Sequence, residues 1–189
     1  MLNAHVLSTT NDCLPLTILT TPNLNIHNEP SMRRTIREYF INTFDTYNSL
    51  FECLATDQAF YLKAIPLRHP LIFYYGHTAT FFVNKLLLSH LIKERVDPAL
   101  ESMFAVGVDE MSWDDLNDQH YDWPTPRQVT EYRQKIRRLV LEIIDHAPLN
   151  LPIDWQHPWW SILMGIEHER IHLETSSVLI RQLSLEHVQ

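Results

Sequence analysis

Apolar residues recur along this chain at helical intervals in several separate stretches. Ile36, Phe40, Phe44, Tyr47, Phe51 and Leu54 repeat at the three- and four-residue spacing that lines one helix face, and Ser31 ahead of them has N-cap chemistry. A second helix is predicted after Pro70, running to about Glu94, with Phe73, Tyr74, His77, Phe81, Asn84, Leu88 and Leu91 on one face. Thr125-Pro126-Arg127-Gln128 reads as a capping box with proline at the first helical position. It opens a third helix that turns Val129, Tyr132, Ile136, Leu139, Val140 and Ile143 inward. Pro158 opens a fourth, ending near Leu183.

The faces of that fourth helix separate by chemistry. Glu167, Arg170, Glu174, Ser177 and Arg181 fall on one side, the kind of ion-paired stripe that normally faces water. Ile162, Ile166, Leu173 and Ile180 form an apolar flank, and Ser161, Gly165, His168, His172, Thr175 and Leu179 a stripe of small groups and imidazoles. Four amphipathic helices predict an all-α four-helix bundle over residues 31–189, preceded by a polar arm over 1–30. A long acidic, tryptophan-bearing connection, Arg95 to Pro124, joins the second and third helices. Loops of that length are functional or disordered, and the apolar run Met103-Phe104-Ala105-Val106 favours ordered packing.

Composition narrows the function. A chain of 189 residues with 45% hydrophobic and 20% charged positions fits one globular domain. Three glycines are too few for a barrel, a sandwich or a phosphate-cradling loop, and neither G-x-G-x-x-G nor a P-loop occurs. A net charge of −8 argues against nucleic acid as a partner. Cys13 and Cys53 have no metal-ligand spacing and make no disulfide framework. Nothing resembles a signal peptide or membrane span, so a soluble cytoplasmic protein with no membrane partner is expected.

The candidate chemistry lies in His168-Glu169-Arg170-Ile171-His172-Leu173-Glu174. Two histidines four apart stack on one helix face, where both imidazoles reach one metal ion. Read as H-E-x-x-H, the segment would be a zinc-protease motif with Glu169 as general base. The extended form of that motif needs Gly at 175 and His at 178, where this chain has Thr175 and Val178. Read as H-x-x-x-H-x-E, it is a different metal site in which Glu169 is incidental. Glu174 lies ~240° around the helix from His168 and is better paired with Arg170 than with a metal.

A third ligand must come from elsewhere. Most of the remaining histidines fall in termini, in the long loop or at helix boundaries; His77 sits mid-helix in an aromatic stripe. A lone histidine there is ordinarily a hydrogen-bonded core residue, but bundle metal sites are built from inward side chains on facing helices. His77, His168 and His172 are therefore the expected triad. Such a set suits Fe(II), Zn, Ni or Cu and leaves open positions, the mark of a catalytic site.

Gly76-His77-Thr78 with Phe81-Phe82, and His168-x-x-x-His172-x-Glu174, resemble the DinB-like N-terminal domain of the sulfoxide synthases of thiohistidine biosynthesis. Two longer runs, Phe104 to Asp115 and Met164 to Arg181, resemble the ovothiol branch, 5-histidylcysteine sulfoxide synthase, and the likeness extends from about Glu29 to the end. The resemblance implies a DinB-like bundle in which His77, His168 and His172 bind Fe(II). It also implies an enzyme that joins cysteine sulfur to histidine with O2. Family members continue into a formylglycine-generating-enzyme-like domain that completes the pocket and carries the catalytic tyrosine. This chain is thus expected to be a fragment, or half of a split enzyme whose catalytic residues lie in a missing domain or partner chain, and to be inactive alone. Two other readings stay open: a free-standing DinB-like thiol transferase, and a non-enzymatic bundle whose histidines are core residues.

Overall fold

The computed structural model describes residues 20–105 and 121–189, and these are helical with no named strand. Helix α1 spans Glu29–Phe51, α2 Leu71–Leu88, α3 Pro98–Ala105, α4 Pro126–His146 and α5 Trp160–Ile180. The four long helices are the four read from periodicity. The short α3 lies inside the stretch expected to be a loop, and most of the run from Phe104 to Asp115 lies outside the described residues.

Helix starts follow local chemistry. α1 is capped by Asn28, whose Oδ1 accepts from the Ser31 amide at 2.9 Å, with Pro30 in the first turn. Ser31 is therefore inside the helix instead of capping it, and the helix begins two residues before the boundary at 31. The capping box at Thr125 and Gln128 is formed as expected. At the start of α5 the His157 imidazole accepts from the Trp159 amide at 3.1 Å. Trp159 is itself fully buried, with Nε1–H donating to the Pro148 carbonyl.

α2 stops at Leu88, short of Glu94. His90 takes a left-handed conformation, φ 59°, and the His90 and Leu91 amides return to the Leu87 and Leu86 carbonyls. That is the hydrogen-bond pattern of a Schellman stop, with histidine in the position glycine usually fills. The one-face reading of α2 also needs correction. Residues 71–80 are buried on every side, and Leu88, assigned to the inner face, is 72% exposed. α2 is the central helix, enclosed by α1, α3, α4 and α5.

Two buried clusters make up the core. One gathers Ile36, Phe40, Phe44, Phe82, Ile136 and Ile166; the other Tyr47, Phe51, Phe60, Tyr75, Phe104 and Val129. α2 gives Leu71 to Tyr75 to the second and Ala79 to Leu86 to the first, so His77 stands at their junction. The last residues fold back on the loop after α1, with the Ala55 amide on the His187 carbonyl and the Gln189 amide on the Cys53 carbonyl, both at 2.9 Å. Among the described residues no helix is long and apolar enough to cross a membrane.

Candidate metal centre

Close approach of α2 and α5 sets the geometry. A Cβ added at Gly165 of α5 would lie 2.3 Å from the Phe82 ring of α2, and one at Gly76 would lie 2.3 Å from the Phe104 ring of α3. Glycine at these positions lets the helices meet closely. One turn beyond Gly165 and one residue beyond Gly76 come His168 and His77.

The three expected histidines do converge. His77 Nε2 and His168 Nε2 are 3.3 Å apart, and one ring nitrogen from each of His77, His168 and His172 lies within 4.8 Å of the others. Two nitrogens bound to one ion at ~2.1 Å are about 3.0 Å apart at a right angle and about 3.4 Å apart at a tetrahedral one. The observed separation falls in that interval.

The surroundings of the three imidazoles differ. His77 is 2% exposed, and its Nδ1–H donates to the Phe104 carbonyl at 2.8 Å, which fixes the tautomer and leaves the Nε2 lone pair facing the site. His168 stacks on Phe81 at 3.7 Å and 5°, and His77 lies parallel to Phe73 at 5.2 Å. Nδ1 of His168 and of His172 are buried with no hydrogen-bond partner among the described residues. Burial, reinforced by the neighbouring imidazoles, pushes His168 down to about 2 and His172 down to about 4. Both are neutral near pH 7, the form a metal requires. Three converging imidazoles, two of them with a buried Nδ1 that lacks a hydrogen-bond partner among the described residues, fit a divalent transition metal.

Glu169 is not incidental. It is fully buried, faces away from the triad, and its Oε1 accepts from Arg133 Nη2 at 2.7 Å and from Thr78 Oγ1 at 3.0 Å. A carboxylate locked to an arginine cannot serve as the base of a zinc-protease site. The polar stripe of α5 also divides. Glu167 accepts a 2.7 Å bond from Tyr39, and Arg170 lies over the Tyr39 ring and donates to Thr43, so both pack on α1. Arg170 therefore pairs with α1 instead of Glu174. Only Glu174 and Arg181 of the charged stripe are exposed.

The true outer stripe of α5 is Met164, Ile171 and Val178, which are 39%, 64% and 47% exposed. It borders His168 and Thr175, so the triad sits at the rim between the buried and outer faces.

Arg133 and Thr78 escaped the sequence reading as parts of one site. The signal was present: Arg133 is four residues after Val129 and one after Tyr132, on the inward face of α4, where an unpaired charge would not be tolerated.

Three imidazoles brought by two facing helices to one point form a group that could hold a metal ion inside a helical bundle. The chain belongs to the DinB superfamily, which matches residues 39–176, an interval holding all three histidines. Among curated proteins it is similar to ergothioneine biosynthesis protein 1 of Neurospora crassa, 28% identical over 125 residues, covering 64% of this chain and 14% of that protein. The protein of the same name from Schizosaccharomyces pombe is 28% identical over 125 residues, covering 61% of this chain and 15% of its own length. The chain thus spans about one seventh of the relatives it matches.

Proposed function

We propose that this chain is the metal-binding bundle of a sulfoxide synthase that joins the sulfur of cysteine to histidine with O2, in the manner of the ovothiol branch, and that His77, His168 and His172 hold Fe(II). The observation that carries the proposal is the facing pair of Nε2 atoms 3.3 Å apart, with His172 beside them. The likeness to proteins of ergothioneine biosynthesis supports this class of chemistry. Fe(II) held by three imidazoles would supply open coordination positions and one-electron reactivity toward O2.

The chain's own residues would prepare that centre. The Phe104 carbonyl presents the His77 lone pair, and burial removes protons as competitors at His168 and His172. The rings of Phe81 and Phe73 cover two of the imidazoles and exclude water from their faces. Tyr74, whose ring lies 6.0 Å from His172, has its phenol pKa raised by burial and keeps its proton at neutral pH. The half-exposed side of the triad, beside the apolar outer stripe of α5, is where substrates and the rest of the pocket would meet the metal.

Anaerobic titration with Fe(II), followed by addition of histidine, cysteine and air, tests the reading. One Fe(II) per chain is expected, with no sulfoxide product above the metal-free control, because the positioning groups come from elsewhere. Failure to bind Fe(II) would overturn the metal assignment, and turnover by the chain alone would overturn the division of labour. Metal-dependent thiol transfer without O2 would replace the proposal with the thiol-transferase reading.

A further inference from the structure

One arginine touches all four long helices directly behind the triad. Arg133 of α4 is 1% exposed, and its Nε–H donates to Asn48 Oδ1 of α1 at 2.7 Å. Its Nη1 donates to the Tyr75 carbonyl at 2.8 Å and to Thr78 Oγ1 at 2.7 Å, both on α2. Its Nη2 donates to Glu169 of α5 at 2.7 Å, and Thr78 Oγ1 donates to that same oxygen. The rings of Phe44, Tyr47 and Tyr75 enclose the guanidinium at 4.4, 5.0 and 4.9 Å.

The partners sit at informative places. Thr78 follows His77, and Glu169 follows His168. Adjacent helical residues point ~100° apart, so each histidine looks into the site while its neighbour looks back into the bundle. The Thr78–Glu169 contact and the His77–His168 contact therefore span the same gap between α2 and α5.

Stability alone does not account for this network. A fully buried ion pair often contributes no more than apolar groups of the same size would, because desolvation offsets the attraction. Glu169 Oε2 is buried with no hydrogen-bond partner among the described residues, a further cost. What directional bonds supply, and apolar packing does not, is a defined separation and register.

We propose that Arg133, Thr78 and Glu169 form a positioning device that fixes α2 against α5 at the distance the metal needs, acting on the ligands through their helix neighbours. The inference rests on the triad binding a metal, as proposed above. Its test uses Co(II) as the probe, with affinity measured by chelator competition and ligand geometry read from the visible absorption bands.

Thr78→Val removes the hydroxyl at nearly constant shape, and Thr78→Ser keeps it. Thr78→Val should bind Co(II) about tenfold more weakly with altered bands, the low end of what outer-shell changes cost, while Thr78→Ser stays within about threefold of the parent. The double variant Arg133→Met/Glu169→Leu, which leaves no unpaired charge, should lose Co(II) affinity by at least as much while retaining its helical circular dichroism. Parent-like affinity and bands in Thr78→Val would overturn the inference, as would an equal loss in Thr78→Ser. If the parent chain itself bound no Co(II), Zn(II) or Fe(II), the metal reading would fall first, and the two failures are thereby distinguished.

Discussion

Replacing Gly165 with alanine sets two well-measured effects against each other. Helix propensity alone favours alanine by ~1 kcal/mol, since glycine loses more backbone freedom on folding. Packing opposes it. The new Cβ would lie 2.3 Å from Cδ1 and Cε1 of Phe82 and 3.0 Å from Cγ, where carbon pairs prefer roughly 3.5–4.0 Å. The ring must move by more than about an ångström. It has nowhere to go: Phe82 is fully buried, with the rings of Phe40 at 5.5 Å and Phe44 at 6.4 Å. Overpacking of a tight core costs about 1–3 kcal/mol, and this contact belongs at the upper end. The net expectation is a loss of about 2 kcal/mol, or roughly 4–8 °C in Tm for a chain of this size.

Thermal unfolding of the metal-free protein, followed by far-ultraviolet circular dichroism, measures it. A second variant sharpens the cause. Phe82→Leu should cost less in the Gly165→Ala background than in the parent, because the smaller side chain makes room for the methyl group. A Tm equal to or above the parent's in Gly165→Ala would refute the close-approach argument. It would leave α5 free to slide along α2, and a triad held by that contact would lose its physical basis.

Acid should weaken the metal-free fold through the triad. His168 and His172 sit at about 2 and about 4 in the folded chain against ~6.5 when unfolded, so between these values the unfolded chain binds more protons. Their contribution is complete above about pH 6.5 and falls as pH drops, toward 4 for His172 and on toward 2 for His168. Burial raises Glu169, which acts in the opposite sense, so the measure is the difference between the parent and His168→Ala/His172→Ala in urea midpoint at pH 7.5 and 5. A parent no more acid-sensitive than the double variant would contradict the assignment. Glu174→Gln changes an exposed side chain off the ligand face, and equilibrium dialysis should find its Fe(II) content unchanged; a large loss would make Glu174 a ligand.

The long helices were legible because each carries a signal that does not depend on its neighbours. The box at Thr125 and Gln128 fixes the start of α4 within four residues of sequence, and the repeat from Ile36 to Phe51 needs no partner to be seen. α2 was harder to read. A helix enclosed on all sides has no polar face to set its phase, so a one-sided reading put Leu88 inside when it is outside. Its end was missed because His90, not glycine, takes the left-handed position.

The same difference decides what was legible of the site. Two histidines at i and i+4 share a helix face by geometry alone, so His168 and His172 could be paired from spacing, and that pair raised His77, whose mid-helix position alone favours a core role, to the third member. Glu169 could not be placed that way. Its role depends on Arg133, 36 residues earlier, and on Thr78, 91 residues earlier, meeting it across the bundle. The charged stripe failed for a related reason. A helical wheel treats Glu167 and Arg170 as water-facing because they are charged, yet Tyr39 and Thr43 of α1 give both a partner at the helix boundary. Charge predicts exposure only where no opposite group waits across the interface. Here the unusual feature was an apolar outer face on α5, at Met164, Ile171 and Val178, matched by a carboxylate at its centre. That inversion places a fully buried charge pair, Arg133 and Glu169, directly behind the three imidazoles.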